Sequence, residues 1–238
     1  MADFTTLRFV DQVGDNYLFR GGAPLIDEGN DNYSFDTNLF AALATANPLM
    51  PTFFNLVILC LFHPNEVSKI EAEMTYFKKY PEVGLFNLWD TNGTPLCYFQ
   101  TDPLERDYLV GTLEQWLDDP LIWRTAKLRS WLEGAVLPTP VPRPGLPLVF
   151  YVHCDGGCDR TAELIGAYRM RYMSYSWIDM WSEQPCQRPL GCNNYRALQW
   201  YAFWLNMALG FQLSGMGEVD NGCYDGGPWP PLHKPCSA

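Results

Sequence analysis

Between Val149 and Met170 the chain reads VFYVHCDGGCDRTAELIGAYRM: an apolar run, then His153-Cys154, then a short polar loop that ends in Arg160 and Thr161. A cysteine is a useful nucleophile only as its thiolate, and cations or a helix N-terminus nearby favour that form. Arg160 carries a planar fork of donors that takes two phosphate oxygens at once and steadies charge on them. The Thr161 hydroxyl lies close in sequence, suited to stabilising the thiolate and to breakdown of a covalent intermediate. Cysteine, five residues, arginine, threonine is therefore a pattern for attack on a tetrahedral oxyanion.

Such a set needs elements that point it at one place. The run LVFYV reads as a buried strand feeding into His153-Cys154, and the segment from Thr161 to about 175 reads as a helix. The six residues between, Asp155 to Arg160, include Gly156 and Gly157, which are free to adopt positive φ. Strand, tight loop and helix start make a nest of backbone N–H groups, with the positive end of the helix dipole added. Asp155, Gly156, Gly157, Cys158, Asp159 and Arg160 are the expected phosphate-binding residues.

The loop resembles the signature of the protein tyrosine phosphatase superfamily: His-Cys, five residues, Arg, then Ser or Thr, with Gly third after the cysteine. His153, Cys154, Gly157, Arg160 and Thr161 match it. The order of elements is similar to that of the smaller dual-specificity members over roughly residues 16 to 210: a strand-turn with proline (LFRGGAP), a buried strand and helix (NLVILCLF and the segment after it), an acid-bearing loop, a helix, and the nucleophile strand. The resemblance implies that Cys154 attacks phosphorus and that Arg160 and the loop amides hold the equatorial oxygens. It also implies an aspartate that first protonates the leaving oxygen and then activates water, with no metal or other cofactor.

By position in that order the acid is Asp102, in YFQTDPLERDYL. The stretch from Asp102 to Cys154 is longer than the family usually has, so Asp119, before Pro120, is a second candidate and Asp90, in LWDTNG, a third. An aspartate directly before the arginine also occurs in the myotubularin and Sac-type lipid phosphatases, which brings Asp159 into the same group. Asp102 before Pro103 suits a helix N-cap equally well.

Elsewhere strands and helices alternate, which predicts an α/β fold with a central, mostly parallel sheet flanked by helices on both sides, the loop lying at the carboxyl end of a central strand. Asn16 to Leu25 reads as a strand with a turn, 27 to 38 as a polar loop, Phe35 to Ala46 as a short helix, NLVILC as a strand, and the segment after Pro64 as a helix with Lys78 and Lys79 at its end. Two apolar runs flank Asn92-Gly93, a tight-turn dipeptide. Further helices are expected from Pro103 (with Leu104, Tyr108, Leu109, Leu113, Trp116 and Leu117 at helical spacing), from Ile122 to Glu133, and from Asn194 to about 209. Residues 1–238 read as one phosphatase domain, with an insertion at about 118–147 that ends in a proline-rich connector and an irregular Gly/Pro-rich tail from about 210. The insertion is expected to shape one wall of the substrate cleft.

A net charge of −11 and an isoelectric point near 4.6 exclude a nucleic-acid partner, which wants a basic face. The longest apolar stretch, Phe53 to Phe62, is too short to span a membrane, and the start of the chain lacks the pattern of a secretion signal. A cytoplasmic protein with most of its eight cysteines reduced is the resulting expectation, Cys223 and Cys236 being candidates to pair if the compartment is oxidising. His153, Cys154, Cys158, Cys186, Cys192 and His233 lack zinc-ligand spacing. Cys158 reads as a small loop residue or as a redox partner for Cys154, and His63 before Pro64 as a loop residue. Asn193 and Asn194 suit caps, while Gln199 is a weak candidate to approach the site.

The expected activity is two-step phosphomonoester hydrolysis, with a phosphotyrosine protein or dual-specificity substrate first. The loop holds two aspartates and no lysine, which disfavours polyphosphorylated inositols but leaves a singly phosphorylated phosphoinositide as the alternative. A catalytically idle phosphate-binding module is the third class.

Overall fold

The computed structural model describes residues 1–91, 93–94, 102–115, 120–182, 185–186, 190–213 and 223–224. Elements come in the order β1 (Arg8–Val13), β2 (Asn16–Gly21), β3 (Leu25–Gly29), β4 (Asn32–Phe35), α1 (Leu39–Ala46), β5 (Asn55–Cys60), α2 (Val67–Lys79), β6 (Gly84–Leu88), α3 (Pro103–Gly111), α4 (Leu121–Leu132), β7 (Leu148–His153), α5 (Asp159–Tyr172), α6 (Trp177–Ser182), β8 (Leu190–Gly191), α7 (Cys192–Leu209) and β9 (Cys223–Tyr224). A 3-10 turn covers Leu113–Gln115. The chain packs as two compact units, one of Met1–Thr91 with Ser130–Thr161, the other of Asn92–Arg129 with Ala162–Ala238.

In the first unit five strands form a sheet in the order β1-β2-β7-β5-β6, with only the β1–β2 pair antiparallel. The run NLVILC is buried at every position because β5 is covered on both faces, as parallel strands are. Tyr17, Phe19, Leu56, Ile58, Val149 and Tyr151 share one face with Leu39 and Leu43 of α1 and Ile70 and Phe77 of α2. On the other face Trp131, from the end of α4, stacks on Phe150 at 6.3 Å between ring centroids. Burying each such side chain contributes about 1.5–3 kcal/mol. The α/β architecture, with a mostly parallel sheet and helical cover on both faces, is the one expected.

Residues 27 to 38 depart from the expected loop: they hold the β3–β4 hairpin, turned at Asn30 and Asp31, both at positive φ (54° and 57°). Asparagine and aspartate tolerate that conformation, and a two-residue turn of this kind matches strand twist. The hairpin's short, mostly polar strands lack the apolar alternation that signals a strand, although Phe35 at the end of β4 is buried.

The proline connector carries no regular structure, as expected, but both its ends are tied to the amino-terminal edge of the sheet. Asn16 Nδ2 donates to Leu132 O at 2.9 Å, the Asn55 amide donates to Pro147 O at 2.9 Å, and Asn55 Nδ2 donates to Arg143 O at 2.9 Å. That edge is opposite to the one from which the nucleophile loop leaves β7, so the connector's ends form no wall of a cleft at the loop.

In the second unit α7 buries Tyr195, Leu198, Trp200, Tyr201, Trp204 and Leu205. The Thr125 hydroxyl and Tyr201 hydroxyl are 2.9 Å apart, and β8 pairs in parallel with β9. Where a single helix was expected from Pro103, α3 stops at Gly111 and the 3-10 turn comes next; Leu104 and Tyr108 are exposed. Trp116, Leu117, Asn92 and the run after Thr94 lie outside the described residues.

Candidate active site

Cys154 is the first residue past β7, 4% exposed, and its thiol is free. The loop behind it is clamped to the turn after β2. Arg20, 1% exposed, donates from Nη2 to Gly157 O at 2.7 Å, and the Ala23 amide donates to Asp155 O at 2.8 Å. The Tyr151 hydroxyl donates to Gly22 O at 2.7 Å. Two loop carbonyls are thereby turned to the scaffold, and a loop of this kind can offer its N–H groups to an anion. The close approach needs glycine: Gly157 has φ +71°, and a Cβ there would lie 2.4 Å from Gly21 C. Of the two glycines free to adopt positive φ, Gly157 does so and Gly156 does not.

Arg160 lies in the first turn of α5, which begins at Asp159, two residues before the helix start expected from the sequence. Its Nη1 donates to Leu61 O at 3.0 Å and to Glu66 Oε2, and Nη2 donates to Glu66 Oε1 at 3.2 Å. Among the described residues this leaves two of the five guanidinium N–H groups uncommitted, on Nε and Nη2, the edge a phosphate takes side-on. Burial works against a charged Glu66, yet hydrogen bonds from Arg160 and the His63 amide outweigh it and hold the carboxyl below its ordinary range. Burial likewise opposes charge on Arg160, and Glu66 and the Cys154 sulfur more than compensate.

Asp155 is exposed, and its Oδ1 accepts from Lys69 Nζ at 2.6 Å. Burial would lower the Lys69 ammonium, but Asp155 raises it. The absence of lysine within the loop is thus offset by one from α2. Thr161 is fully buried, and its hydroxyl has no hydrogen-bond partner, so the expected contact with the Cys154 sulfur is not formed among the described residues. Asp159 opens α5, where a carboxylate suits the helix dipole.

The acid candidates separate. Asp102 is the N-cap of α3, accepting from the Leu104 amide at 3.0 Å, in the second unit. Asp119 lies outside the described residues. Asp90 is in the same unit as Cys154, two residues past β6, with Oδ1 2.9 Å from His63 Nδ1. The His63 amide donates at 2.8 Å to the Glu66 oxygen that Arg160 also holds. One short segment after β5 therefore connects Asp90 to the arginine through His63, which is a loop residue as expected.

His153, the last residue of β7, pairs in register with Cys60 and Gly21, and its Nε2 lies 3.0 Å from Glu73 Oε2. Cys60, Glu73 and His153 offer S, O and N donor atoms within 4.8 Å of one another. The imidazole nitrogen is already taken by Glu73, and burial, with the Glu73 charge, pushes the Cys60 thiol well up, so the trio is an ordinary buried pair beside a neutral thiol. Glu66, Lys69 and Glu73 escaped the sequence reading; the one available signal was Glu73, a carboxylate at the core spacing of Ile70 and Phe77.

Cys158, Cys186 and Cys192 are disulfide-bonded, while Cys154 is free. The expectation of reduced thiols fails at those three positions, and Cys158 is not available as a resolving partner for Cys154 in this state. Cys97, Cys236 and His233 lie outside the described residues, as do the side chain of Cys223 and most of the tail. Asn194 Nδ2 donates to Glu163, and Gln199 is buried within α7 in the second unit.

No family model and no curated protein matches the chain. Among solved structures it is similar to the core catalytic domain of the PP-IP phosphatase SIW14 from S. cerevisiae, in complex with citrate, at 14% identity over 85% of this chain and 88% of that one, with a TM-score of 0.42. A likeness of that degree assigns neither a family nor a substrate, and the α/β fold stands on the sheet described above.

Proposed function

We propose that this chain is a cysteine-dependent phosphomonoester hydrolase that works through a thiophosphate intermediate. The observation that carries the reading is a free, buried Cys154 at the carboxyl end of a central parallel strand, in a loop whose Arg160 is fixed by Glu66 with two donors to spare. In the first step the Cys154 thiolate forms the S–P bond as the ester P–O bond breaks, and a carboxylic acid gives its proton to the leaving oxygen. In the second step the same group, now a carboxylate, takes a proton from water as water displaces sulfur. Arg160 and the loop amides hold the equatorial oxygens through both steps.

We assign the proton transfers to Asp90 in preference to Asp102. Asp90 is partly exposed at the carboxyl edge of the sheet that bears the loop and is tied through His63 to the Glu66–Arg160 pair. The substrate class put first is a phosphotyrosine-bearing protein. A singly phosphorylated inositol lipid is the second reading, favoured by Lys69 beside Asp155, which cancels part of the loop's negative charge. The disulfides at Cys158, Cys186 and Cys192 favour an oxidising compartment over the cytoplasm. Among the described residues no helix is long and apolar enough to cross a membrane.

The test is the initial rate on p-nitrophenyl phosphate in the presence of EDTA, for wild type and Cys154→Ser. Turnover that disappears with the sulfur supports the reading. Turnover that survives the substitution sinks it, and a wild type without turnover turns the site into a phosphate-binding module.

A further inference from the structure

We propose that Lys69 and Asp155 set how many anionic groups this site accepts. Asp155 occupies a preformed ammonium site at the rim of the loop, so a lone phosphate binds well and a second anionic group beside it gains nothing. The proposal rests on the reading of Cys154 to Arg160 as a phosphate loop, and it narrows the substrate to esters with one anionic group at the reacting end.

The ammonium site is built from three elements. Lys69, in the first turn of α2, donates from Nζ to Asp155 Oδ1 at 2.6 Å. The same nitrogen lies 5.5 Å from the Tyr33 ring centroid and 5.6 Å from that of Phe62, so two aromatic faces hold it. The Arg160 guanidinium lies 5.8 Å from the centroid of that same Phe62 ring, which places both cations around one side chain. Tyr33 is brought there by the β3–β4 hairpin, which is fastened to α2: Ser68 Oγ donates to Asp31 Oδ2 at 2.7 Å, and Phe35 stacks on Tyr76 at 4.1 Å. All of these residues belong to the first unit.

Asp155 directly follows the nucleophile, with its Cα about 3.8 Å from that of Cys154. Its side chain is 58% exposed against 20% for Lys69, so the lysine is the fixed partner and the carboxylate the one that faces solvent. A second anion reaching Lys69 would meet the carboxylate as well, and attraction and repulsion nearly cancel. Without Asp155 the same ammonium would take an anion with little reorganisation. Without Lys69 the bare carboxylate would repel it. The two residues therefore act in opposite senses on a second anion, while Arg160 and the loop amides hold the reacting phosphate.

The test compares ethyl phosphate with phosphoglycolate, which carries a carboxylate in place of the methyl group. Both are titrated calorimetrically into Cys154→Ser protein, so that nothing turns over. The ratio of the two dissociation constants is expected to lie near one in this parent. It should favour phosphoglycolate by about tenfold once Asp155→Asn is added and disfavour it by about tenfold with Lys69→Met. The gain in Asp155→Asn should fade at about 0.5 M salt, where charges open to solvent are screened. A bridge that only tied α2 to the loop would weaken both ligands alike from either side. A ratio that stays fixed in both variants, or moves the same way in both, therefore overturns the proposal and leaves the phosphate loop standing. If neither ligand binds the parent or either variant, the phosphate-loop reading falls, and the proposal with it.

Discussion

Arg160 and Glu66 form a two-pronged ion pair at the foot of the nucleophile loop, with Nη2 3.2 Å from Oε1 and Nη1 bonded to Oε2. The glutamate comes from the segment after β5 and the arginine from the first turn of α5, so the pair joins two elements that the sheet brings side by side.

Loss of that pair should be felt in substrate binding and in the transition state alike. Glu66→Ala is expected to lower kcat/KM by about ten- to hundredfold, because a freed guanidinium no longer presents two donors in a fixed plane. The comparison with Glu66→Gln, which keeps one acceptor, should show a smaller loss, measured as initial rates on p-nitrophenyl phosphate.

The same carboxyl makes stability depend on pH. Glu66 is held below its ordinary range in the folded chain, the bonds from Arg160 and His63 overcoming burial. Its contribution is therefore present above the unfolded value, about 4.3, and is lost as pH falls through the folded value. The difference in urea midpoint between wild type and Glu66→Gln should shrink steadily as pH drops below about 4.

A direct contest between Asp90 and Asp102 settles the acid. Asp90→Asn is expected to cut kcat by about 10²–10⁴ on an alkyl phosphate, whose leaving group needs a proton, and by less on p-nitrophenyl phosphate. Asp102→Asn keeps a side-chain oxygen for the Leu104 amide, so it should leave both the α3 cap and kcat nearly unchanged. If the larger kinetic loss falls on Asp102, the assignment moves there.

Gly157→Ala is expected to cripple the loop, since its Cβ would lie 2.4 Å from Gly21 C in a backbone conformation at φ +71°. Thermal unfolding should show a loss of at least about 2 kcal/mol, with activity lost in parallel. Arg20→Met removes the donor to the Gly157 carbonyl from the other side and should cost about 2–3 kcal/mol.

Reduction should destabilise this chain. With Cys158, Cys186 and Cys192 in disulfides, a strong reductant is expected to lower the thermal midpoint, each native bridge being worth about 2–5 kcal/mol. An unchanged midpoint in dithiothreitol would mean that these thiols are reduced in the native protein.

What the sequence alone determined was local. The apolar runs at β5 and β7, the glycines and the Cys154–Arg160 spacing are consequences of residue type and chain distance, and they were legible as strand, loop and helix start. The β3–β4 hairpin was not, because its short strands mix polar residues with a few half-buried apolar ones and leave no apolar alternation to read. Only the tertiary structure decided the partners. Glu66, Lys69 and Glu73 lie in and just before α2, far from Cys154 in the chain, and meet the loop because β5 and β7 are neighbours in the sheet. A charge's partner depends on which strands adjoin, and strand order is a property of the whole packed sheet. The same holds for the cysteines: reading them as reduced came from the missing secretion signal, whereas disulfide bonding depends on which thiols the fold brings together.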